Sequence, residues 1–387
     1  MQIKAVDAKT ILDSRGEQTV KVSVKTDVGE FSASSPSGKS TGKYEAKPYK
    51  TSLTKDIENL KQCSDYFADE VLEKFDDLRR VEDVVKGHVG ANTTIALEYA
   101  ALKGMAYEQG VEPWQIVNPD ASKKSPRLVG NCVGGGQHSE NIEGKKPDFQ
   151  EFLLIPDEGS AKKNWTRNKK AKKDVENWLR EANKYFEGQK NDEDAWMTPL
   201  NERKVLDVLN KSQIPLGLDV AASAFYKRKK YDYRNPALKR TAEEQMEYLS
   251  NLIQNFELYY IEDPFEEGDF ESHAKLLEKF PDSLIVGDDL TVTNPKRLQK
   301  AIDANAINAL IVKPNQVGSL IQVQEVCEIA DKNGIKKVFS HRSGETEEDI
   351  LSDLAFGFDA EFFKAGITGR ERETKMKRLV EIEESLK

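Results

Sequence analysis

Cysteine is scarce in this sequence, and its three residues, Cys63, Cys132 and Cys327, stand far apart. No two of them form the CxxC pair that zinc knuckles and redox dithiols use. Their number and spacing also disfavour a disulfide framework of the kind found in small secreted proteins. We therefore expect three free thiols.

Long apolar runs are missing as well. Apolar residues make up 38% of the chain, and no window reaches 18 uninterrupted apolar positions, roughly the length needed to cross a bilayer. The opening MQIKAVDAKT contains no hydrophobic signal core. These absences predict a cytoplasmic protein that is neither inserted into a membrane nor secreted.

Positive charge is in deficit, because the formal net charge is −9. A chain of this charge repels a nucleic-acid backbone, so we expect no nucleic-acid partner. The strongly basic run KKNWTRNKKAKK at residues 162–173 has almost no interleaved aromatic residues. We interpret that run as the solvated face of a helix.

The length of 387 residues exceeds what one compact core usually holds, so we expect two domains or a barrel with an extension. In TVKVSVKT (19–26), valines alternate with polar residues, and the flanking turn signals predict a three-stranded antiparallel meander. Apolar residues then recur near helical spacing from Ile57 to Phe75, and the Ala-rich stretch 93–106 predicts a helix. Residues 1–125 are thus expected to form an α+β domain.

From about Pro126 the pattern changes to short apolar runs that end in a charged or polar residue and are separated by amphipathic helices. These runs are PLGLD ending at Asp219, LYYIE at Glu262, LIVGD at Asp288, ALIVK at Lys313, KVFSHRS at Ser343 and EFFK at Lys364. Such strand–loop–helix units predict parallel strands with right-handed crossovers. With further strands at 127–131 and 152–156, residues 126–387 are expected to form an α/β fold, a TIM-like (β/α)8 barrel.

The residues that end these strands are expected to converge, because the strand ends of such a barrel open onto one face. Asp219, Glu262 and Asp288 would bring together three carboxylates, whose hard oxygen atoms suit Mg²⁺. Asp289 adjoins Asp288 and could be the ligand instead. Each carboxylate could also pair with a lysine or arginine of the barrel mouth.

Lys313 and Lys364 also end apolar strands. One interpretation is that both are solvated side chains. However, a lysine at a strand end and close to bound cations would have its pKa lowered and could act as a neutral base. Their position in the sequence favours the second interpretation.

Ten motifs of the chain are long and specific: ILDSRG (11–16), PSGKSTGKYEA (36–46), GAN (90–92), GGQH (135–138), QEF (150–152), LDVAAS (218–223), IEDPF (261–265), VGDDLTVTNPKR (286–297), KPNQVGS (313–319) and SHRSGETE (340–347). From residue 3 onwards they resemble the motifs of enolase in collinear order. The resemblance implies a Mg²⁺-dependent lyase of glycolysis and gluconeogenesis that interconverts 2-phosphoglycerate and phosphoenolpyruvate. It also implies two Mg²⁺ ions per site and a homodimer or an assembly of dimers.

The same resemblance carries residue roles onto this sequence. It implies that Lys313 abstracts the C2 proton and that Glu193 helps the C3 hydroxyl leave as water, in line with the lysine base and Mg²⁺ ions of the enolase superfamily. The other implied roles are metal binding by Asp219, Glu262, Asp288 and, for a second ion, Ser40; phosphate binding by Arg342 and Ser343; carboxylate binding by Lys364; and catalytic positions beside the substrate for His138 and Glu151.

The segment around Glu193 departs from the family pattern. KNDEDAWMTP (190–199) stands where enolases carry GDEGG, so Asp194 and Ala195 replace two glycines. Residues with a Cβ restrict the backbone, and Asp194 adds a charge that could raise the pKa of Glu193 or move its side chain. Two other functions therefore stay open: an enolase-superfamily enzyme acting on another carboxylate, and a noncatalytic enolase-like binding protein.

Overall fold

The N-terminal part of the chain forms the predicted meander. The computed structural model describes residues 1–39, 42–67, 70–122 and 124–386. Strands β1 (Ile3–Leu12), β2 (Gln18–Thr26) and β3 (Glu30–Ser34) pair antiparallel in that order. The helices that follow are α1 (Leu53–Gln62), α2 (Leu78–Val85), α3 (Ala91–Gln109) and α4 (Pro113–Val117). The alternating valines of β2 are buried, and α3 packs against β2 and β3.

The helices of this part follow the prediction only in places. Stretch 93–106 lies inside α3, which ends at Gln109 and is followed by Gly110 in a left-handed conformation with φ of 64°. In contrast, α1 ends at Gln62, and the buried Phe67 and Phe75 come from short 3₁₀ turns. The apolar spacing beyond Gln62 therefore does not mark one continuous helix.

The remaining strands are β4 (Arg127–Gly134), β5 (Glu151–Leu154), β6 (Trp196–Met197), β7 (Leu216–Asp219), β8 (Tyr226–Lys227), β9 (Lys230–Arg234), β10 (Ala237–Arg240), β11 (Tyr260–Glu262), β12 (Leu284–Gly287), β13 (Ala309–Val312), β14 (Lys336–Ser340) and β15 (Phe362–Lys364). Eight of them close a ring in the order β4, β5, β7, β11, β12, β13, β14, β15, and β15 pairs with β4. Strand β6 pairs with β4 outside the ring, and β8 to β10 form a separate small sheet. The predicted barrel with an N-terminal α+β part is confirmed.

One strand of the barrel runs opposite to the prediction of successive parallel units. Strand β5 is antiparallel to both β4 and β7. The link between β4 and β5 holds only the 3₁₀ turn Gly136–His138, and without a helical crossover two neighbouring strands pair antiparallel. As a result Glu151, the first residue of β5, lies opposite Asp219, the last residue of β7. The start of β5 therefore opens onto the same mouth as the ends of the other strands.

The helices that surround the barrel are α5 (Ala161–Ala182), α6 (Glu202–Asn210), α7 (Ala242–Phe256), α8 (Phe270–Lys279), α9 (Pro295–Asp303), α10 (Pro314–Val317), α11 (Leu320–Lys332), α12 (Leu351–Gly357) and α13 (Arg370–Ser385). A buried apolar cluster takes side chains from most of the barrel strands: Val129, Leu153, Ile155, Tyr260, Leu284, Val286, Ala309, Ile311, Val338 and Phe362. Such branched and aromatic side chains fill the barrel as a packed core, so a functional site is expected at the mouth of the barrel.

The basic run at residues 162–173 lies on α5. Most of its lysines are exposed, as predicted for a solvated face, but Lys172 is buried with 4% of its side chain exposed. Among the described residues, the structure contains no helix with the length and apolar character needed to cross a membrane.

Candidate active site

A cavity of about 400 Å³ opens at the barrel mouth. The predicted site residues that line this cavity are His138, Glu151, Glu193, Asp219, Asp288, Lys313, Arg342, Ser343 and Lys364. Glu262 is fully buried and contacts Lys364. Ser40, the predicted ligand of a second Mg²⁺, lies outside the described residues. The fold thus brings side chains from distant parts of the sequence into one cavity.

Lys364, at the end of β15, pairs with three carboxylates. Its Nζ lies 2.7 Å from Oε2 of Glu262, 3.1 Å from Oδ2 of Asp219 and 3.4 Å from Oε2 of Glu151. These acids come from three neighbouring strands, and the buried ammonium offsets part of their mutual repulsion. Burial alone would lower the pKa of Lys364, but Asp219 and Glu151 raise that pKa well above its ordinary value.

Lys313 follows β13 and pairs with Asp288, which follows β12. The other oxygen of Asp288 accepts a hydrogen bond of 3.0 Å from Nε2 of Gln316. Burial would lower the pKa of Lys313, but Asp288 raises that pKa above its ordinary value. A carboxylate is the nearest charged group to this amine. The lowering of the Lys313 pKa beside bound cations stays a prediction.

The predicted metal ligands fit a divalent cation in donor type. Asp219, Glu262 and Asp288 offer only carboxylate oxygens, the donors that Mg²⁺ prefers. Oε1 of Glu262 is buried with no hydrogen-bond partner in the described part of the chain. Burial and then the nearby Asp219 raise the pKa of Glu262 to about 8, as expected where acids are crowded with too little positive charge. These residues therefore suit Mg²⁺.

A compact acidic group at the mouth differs from the predicted set. Ligand atoms of Asp263, Asp288 and Asp289 lie within 4.8 Å of one another, whereas Asp219 and Glu262 converge on the ammonium of Lys364. The carboxylate of Asp263 accepts the backbone N–H groups of Asp288 at 3.0 Å and Asp289 at 2.6 Å. Asp263 thereby holds the turn after β12, a role that its place in the IEDPF motif did not reveal.

We expect the metal-free protein to lose thermal stability as the pH rises from about 5 to 8. Burial raises the pKa of Glu262 to about 8 and those of Asp289 and Glu202 to about 7. In this range the folded state holds protons that the unfolded chain has released, so raising the pH favours unfolding. Each group lowers the free energy of unfolding by up to about 1.4 kcal/mol per pH unit. Scanning calorimetry in EDTA measures the slope.

Added Mg²⁺ should raise the melting temperature more at pH 8 than at pH 6, because the cation competes with protons for Glu262 and favours the ionised form of Asp289 beside the ligand Asp288. Glu202 lies outside the cavity lining and binds the backbone N–H of Asp148 at 2.6 Å. The control variant Glu202→Gln should reduce the pH slope and leave the Mg²⁺ effect unchanged. An equal Mg²⁺ effect at both pH values would contradict the assignment of these ligands.

Glu193 lies in the cavity wall between two histidines, with 2% of its side chain exposed. Its Oε1 lies 3.2 Å from Nδ1 of His138, and its Oε2 lies 3.7 Å from Nε2 of His341 and accepts a hydrogen bond of 3.0 Å from Nδ2 of Asn131. Burial alone would raise the pKa of Glu193, but His138 holds that pKa well below its usual range. Burial lowers the pKa of His341 well below its ordinary value.

His341 was missed by the sequence reasoning. The residue stands in the SHRSGETE motif between the end of β14 and Arg342, and its ring is buried in the cavity wall. The available signal was its position, since it follows a barrel strand directly and neighbours a predicted phosphate ligand.

Arg342 and Ser343 form a second polar group on the cavity wall. Nη1 of Arg342 donates to Oδ1 of Asn315 at 2.8 Å, and Nη2 donates to Oε2 of Glu45 at 2.9 Å. Oγ of Ser343 accepts the backbone N–H of Lys39 at 2.9 Å. A buried guanidinium beside a hydroxyl and a backbone N–H is well suited to bind a phosphate.

Two family comparisons match nearly the whole chain. Residues 3–117 match the enolase N-terminal domain family, and residues 124–387 match the enolase C-terminal TIM barrel domain family. The enolase of Pyrobaculum aerophilum is 34% identical, covering 99% of this chain and 96% of its own length. The enolase of Methanosphaera stadtmanae is 35% identical, with 99% and 97% covered, and that of Archaeoglobus fulgidus is 33% identical, with 99% and 98% covered. This chain belongs to the enolase family.

Proposed function

We propose that the protein is a Mg²⁺-dependent lyase that reversibly dehydrates 2-phosphoglycerate to phosphoenolpyruvate. The observation that carries the proposal is one cavity that combines an amine, Lys313, a carboxyl group, Glu193, an oxygen-rich acidic set and a buried guanidinium, Arg342. Each of these groups answers one demand of the reaction. The family match supports the same assignment.

The first demand is charge stabilisation. Removing a proton next to a carboxylate adds negative charge to a group that is already anionic. Mg²⁺ ions, held by Asp219, Glu262 and Asp288, with Ser40 proposed for the second ion, would supply positive charge where that charge develops. A cation bound by Asp288 would also compete for the carboxylate that pairs with Lys313. The pKa of Lys313 should then fall, which makes a neutral amine available at physiological pH.

The second demand is proton transfer on both sides of the substrate. Nζ of neutral Lys313 accepts the C2 proton, and the electron pair left behind is first held on the substrate carboxylate as an enolate. That pair then forms the C2–C3 double bond as the C3–O bond breaks. The leaving hydroxyl takes a proton from Glu193 and departs as water. Nδ1 of His138 lies 3.2 Å from Oε1 of Glu193, within reach to pass a proton to that carboxylate. Glu151 would support the water side, as the family resemblance implies.

The third demand is recognition of two anionic groups. Arg342 and Ser343 would bind the phosphate, and Lys364 the carboxylate, once cations compete with Lys364 for Asp219 and Glu262. A substrate with one phosphate and one carboxylate would contact both the Arg342–Ser343 pair and Lys364.

We further propose that the enzyme works in the cytoplasm as a homodimer or an assembly of dimers. Sedimentation analysis can test the assembly.

A direct assay distinguishes this function from the two alternatives. Purified protein is mixed with Mg²⁺ and 2-phosphoglycerate, and the ultraviolet absorbance of phosphoenolpyruvate is followed. We expect the absorbance to rise and to stop rising when EDTA is added. Turnover of another carboxylate but not of 2-phosphoglycerate would favour a different superfamily enzyme, and tight binding without product would favour a binding protein.

Replacing Arg342 by lysine should raise the KM for 2-phosphoglycerate by roughly tenfold or more, because lysine keeps the charge but loses the paired N–H groups. The control is Arg378→Lys, since Arg378 also binds a carboxylate through two nitrogens, at 2.8 and 2.6 Å from Asp353, but lies outside the cavity lining. Steady-state kinetics of both variants measures the effect. A KM of Arg342→Lys equal to that of Arg378→Lys would contradict the phosphate-binding role of Arg342.

A further inference from the structure

In the acid loop (residues 190–195), the residue that follows Glu193 has a strained backbone. Asp194 adopts a φ of 63°, a left-handed conformation that glycine accepts readily and a residue with a Cβ accepts with difficulty. The contacts of Asp194 must hold the aspartate in this conformation. The contacts of Asp194 therefore bear on where Glu193 points.

Those contacts come from a buried lysine of helix α5. Nζ of Lys172 lies 2.9 Å from Oδ2 of Asp194 and also donates to the backbone oxygen of Asp194 and to Oγ1 of Thr368. Oγ1 of Thr368 donates to the same carboxylate. Lys172 thus ties the acid loop to α5 and to the segment that follows β15, the strand that ends at Lys364.

Two further sets of hydrogen bonds hold the backbone around Glu193. Nε1 of Trp196 donates to the backbone oxygen of Lys172 at 2.9 Å. Oδ1 of Asn191 accepts the backbone N–H groups of Glu193 at 3.0 Å and Ala195 at 2.9 Å. These bonds hold the backbone on both sides of Glu193. Asp194 connects this backbone to Lys172 of α5 and to Thr368.

We propose that Lys172 and Asp194 form an anchor that positions Glu193 for proton transfer. The proposal rests on the proposed function. Lys172 is a positioning residue, because it does not line the cavity and acts through Asp194. Misplacing a catalytic group by about 1 Å can cost about 10²-fold in rate, so losing the anchor should slow the step that needs Glu193 and spare the step that needs Lys313.

The test compares Lys172→Met with Lys190→Met. Lys190 pairs with the same carboxylate at 2.9 Å, but 41% of its side chain is exposed, against 4% for Lys172. Two rates are measured for each variant with Mg²⁺ and 2-phosphoglycerate: dehydration, and the entry of solvent deuterium at C2, which needs only the base. Thermal unfolding shows whether each variant folds.

For Lys172→Met we expect dehydration to fall about tenfold or more, with C2 exchange and KM each within about threefold of wild type. Lys190→Met should leave both rates within about twofold. An equal loss of both rates, or no loss, in Lys172→Met would overturn the anchor. If that variant does not fold, Asp194→Asn takes its place, because asparagine tolerates the left-handed backbone and removes only the charge. We expect Asp194→Asn to lose dehydration and to keep C2 exchange. A wild-type protein with neither activity would reject the proposed function and the anchor with it.

Discussion

Replacing Lys313 by alanine is expected to lower the dehydration rate by roughly 10³-fold or more, within the range that a general base contributes. Exchange of the C2 hydrogen with solvent should be lost to the same extent, because Lys313 is the group proposed to take that proton. Mg²⁺ binding, measured by calorimetry, should persist, since Asp219, Glu262 and Asp288 keep their oxygen atoms. The variant separates proton abstraction from metal binding.

A matched control for Lys313→Ala is Lys337→Ala. Lys337 is also buried and paired with an aspartate, Asp331, but it lies near the start of β14, away from the mouth at which that strand ends. This control should keep its turnover in the folded protein. If Lys313→Ala lost Mg²⁺ affinity as severely as it lost turnover, Lys313 would have been assigned the wrong role.

Replacing Glu193 by glutamine should lower dehydration by about 10²-fold or more while C2 exchange continues. Glutamine fills the same volume and can still accept the hydrogen bond from Asn131, but it cannot deliver a proton to the leaving hydroxyl. Kinetic assays of dehydration and proton NMR of the C2 position measure the two steps separately.

Glu202→Gln is the matched control for Glu193→Gln, because Glu202 is an equally buried glutamate, 1% exposed, that does not line the cavity. Its dehydration rate should stay near that of the wild type. Loss of C2 exchange together with dehydration in Glu193→Gln would indicate that Glu193 also supports the base or the metal, and the separation of roles would have to be given up.

The sequence was sufficient to predict the barrel and the convergence at its mouth, because both follow from a repeated local pattern. An apolar run that ends in Asp219, Glu262, Asp288, Lys313 or Lys364 marks a strand end, and strand ends meet on one face. Each of these residues lies at the mouth in the structure, either in the cavity lining or in contact with Lys364.

What the sequence did not reveal depends on contacts between distant segments. The antiparallel direction of β5 comes from a link without a crossover helix, and it brings Glu151 to the mouth from the start of a strand. The raised pKa of Lys313 depends on the direct approach of Asp288. The contact of Lys172 with Asp194, the neighbour of Glu193, joins two distant segments, whereas Lys172 was interpreted as part of a solvated helix face.

The most direct test follows 2-phosphoglycerate with the wild-type protein and Mg²⁺ in heavy water, using phosphorus and proton NMR in the same sample. We expect that the phosphoenolpyruvate signal appears, that the remaining 2-phosphoglycerate gains deuterium at C2, and that EDTA stops both changes. Bound 2-phosphoglycerate with no new phosphorus signal and no deuterium at C2 would contradict the claim that this cavity joins a base, an acid and a metal site in one reaction.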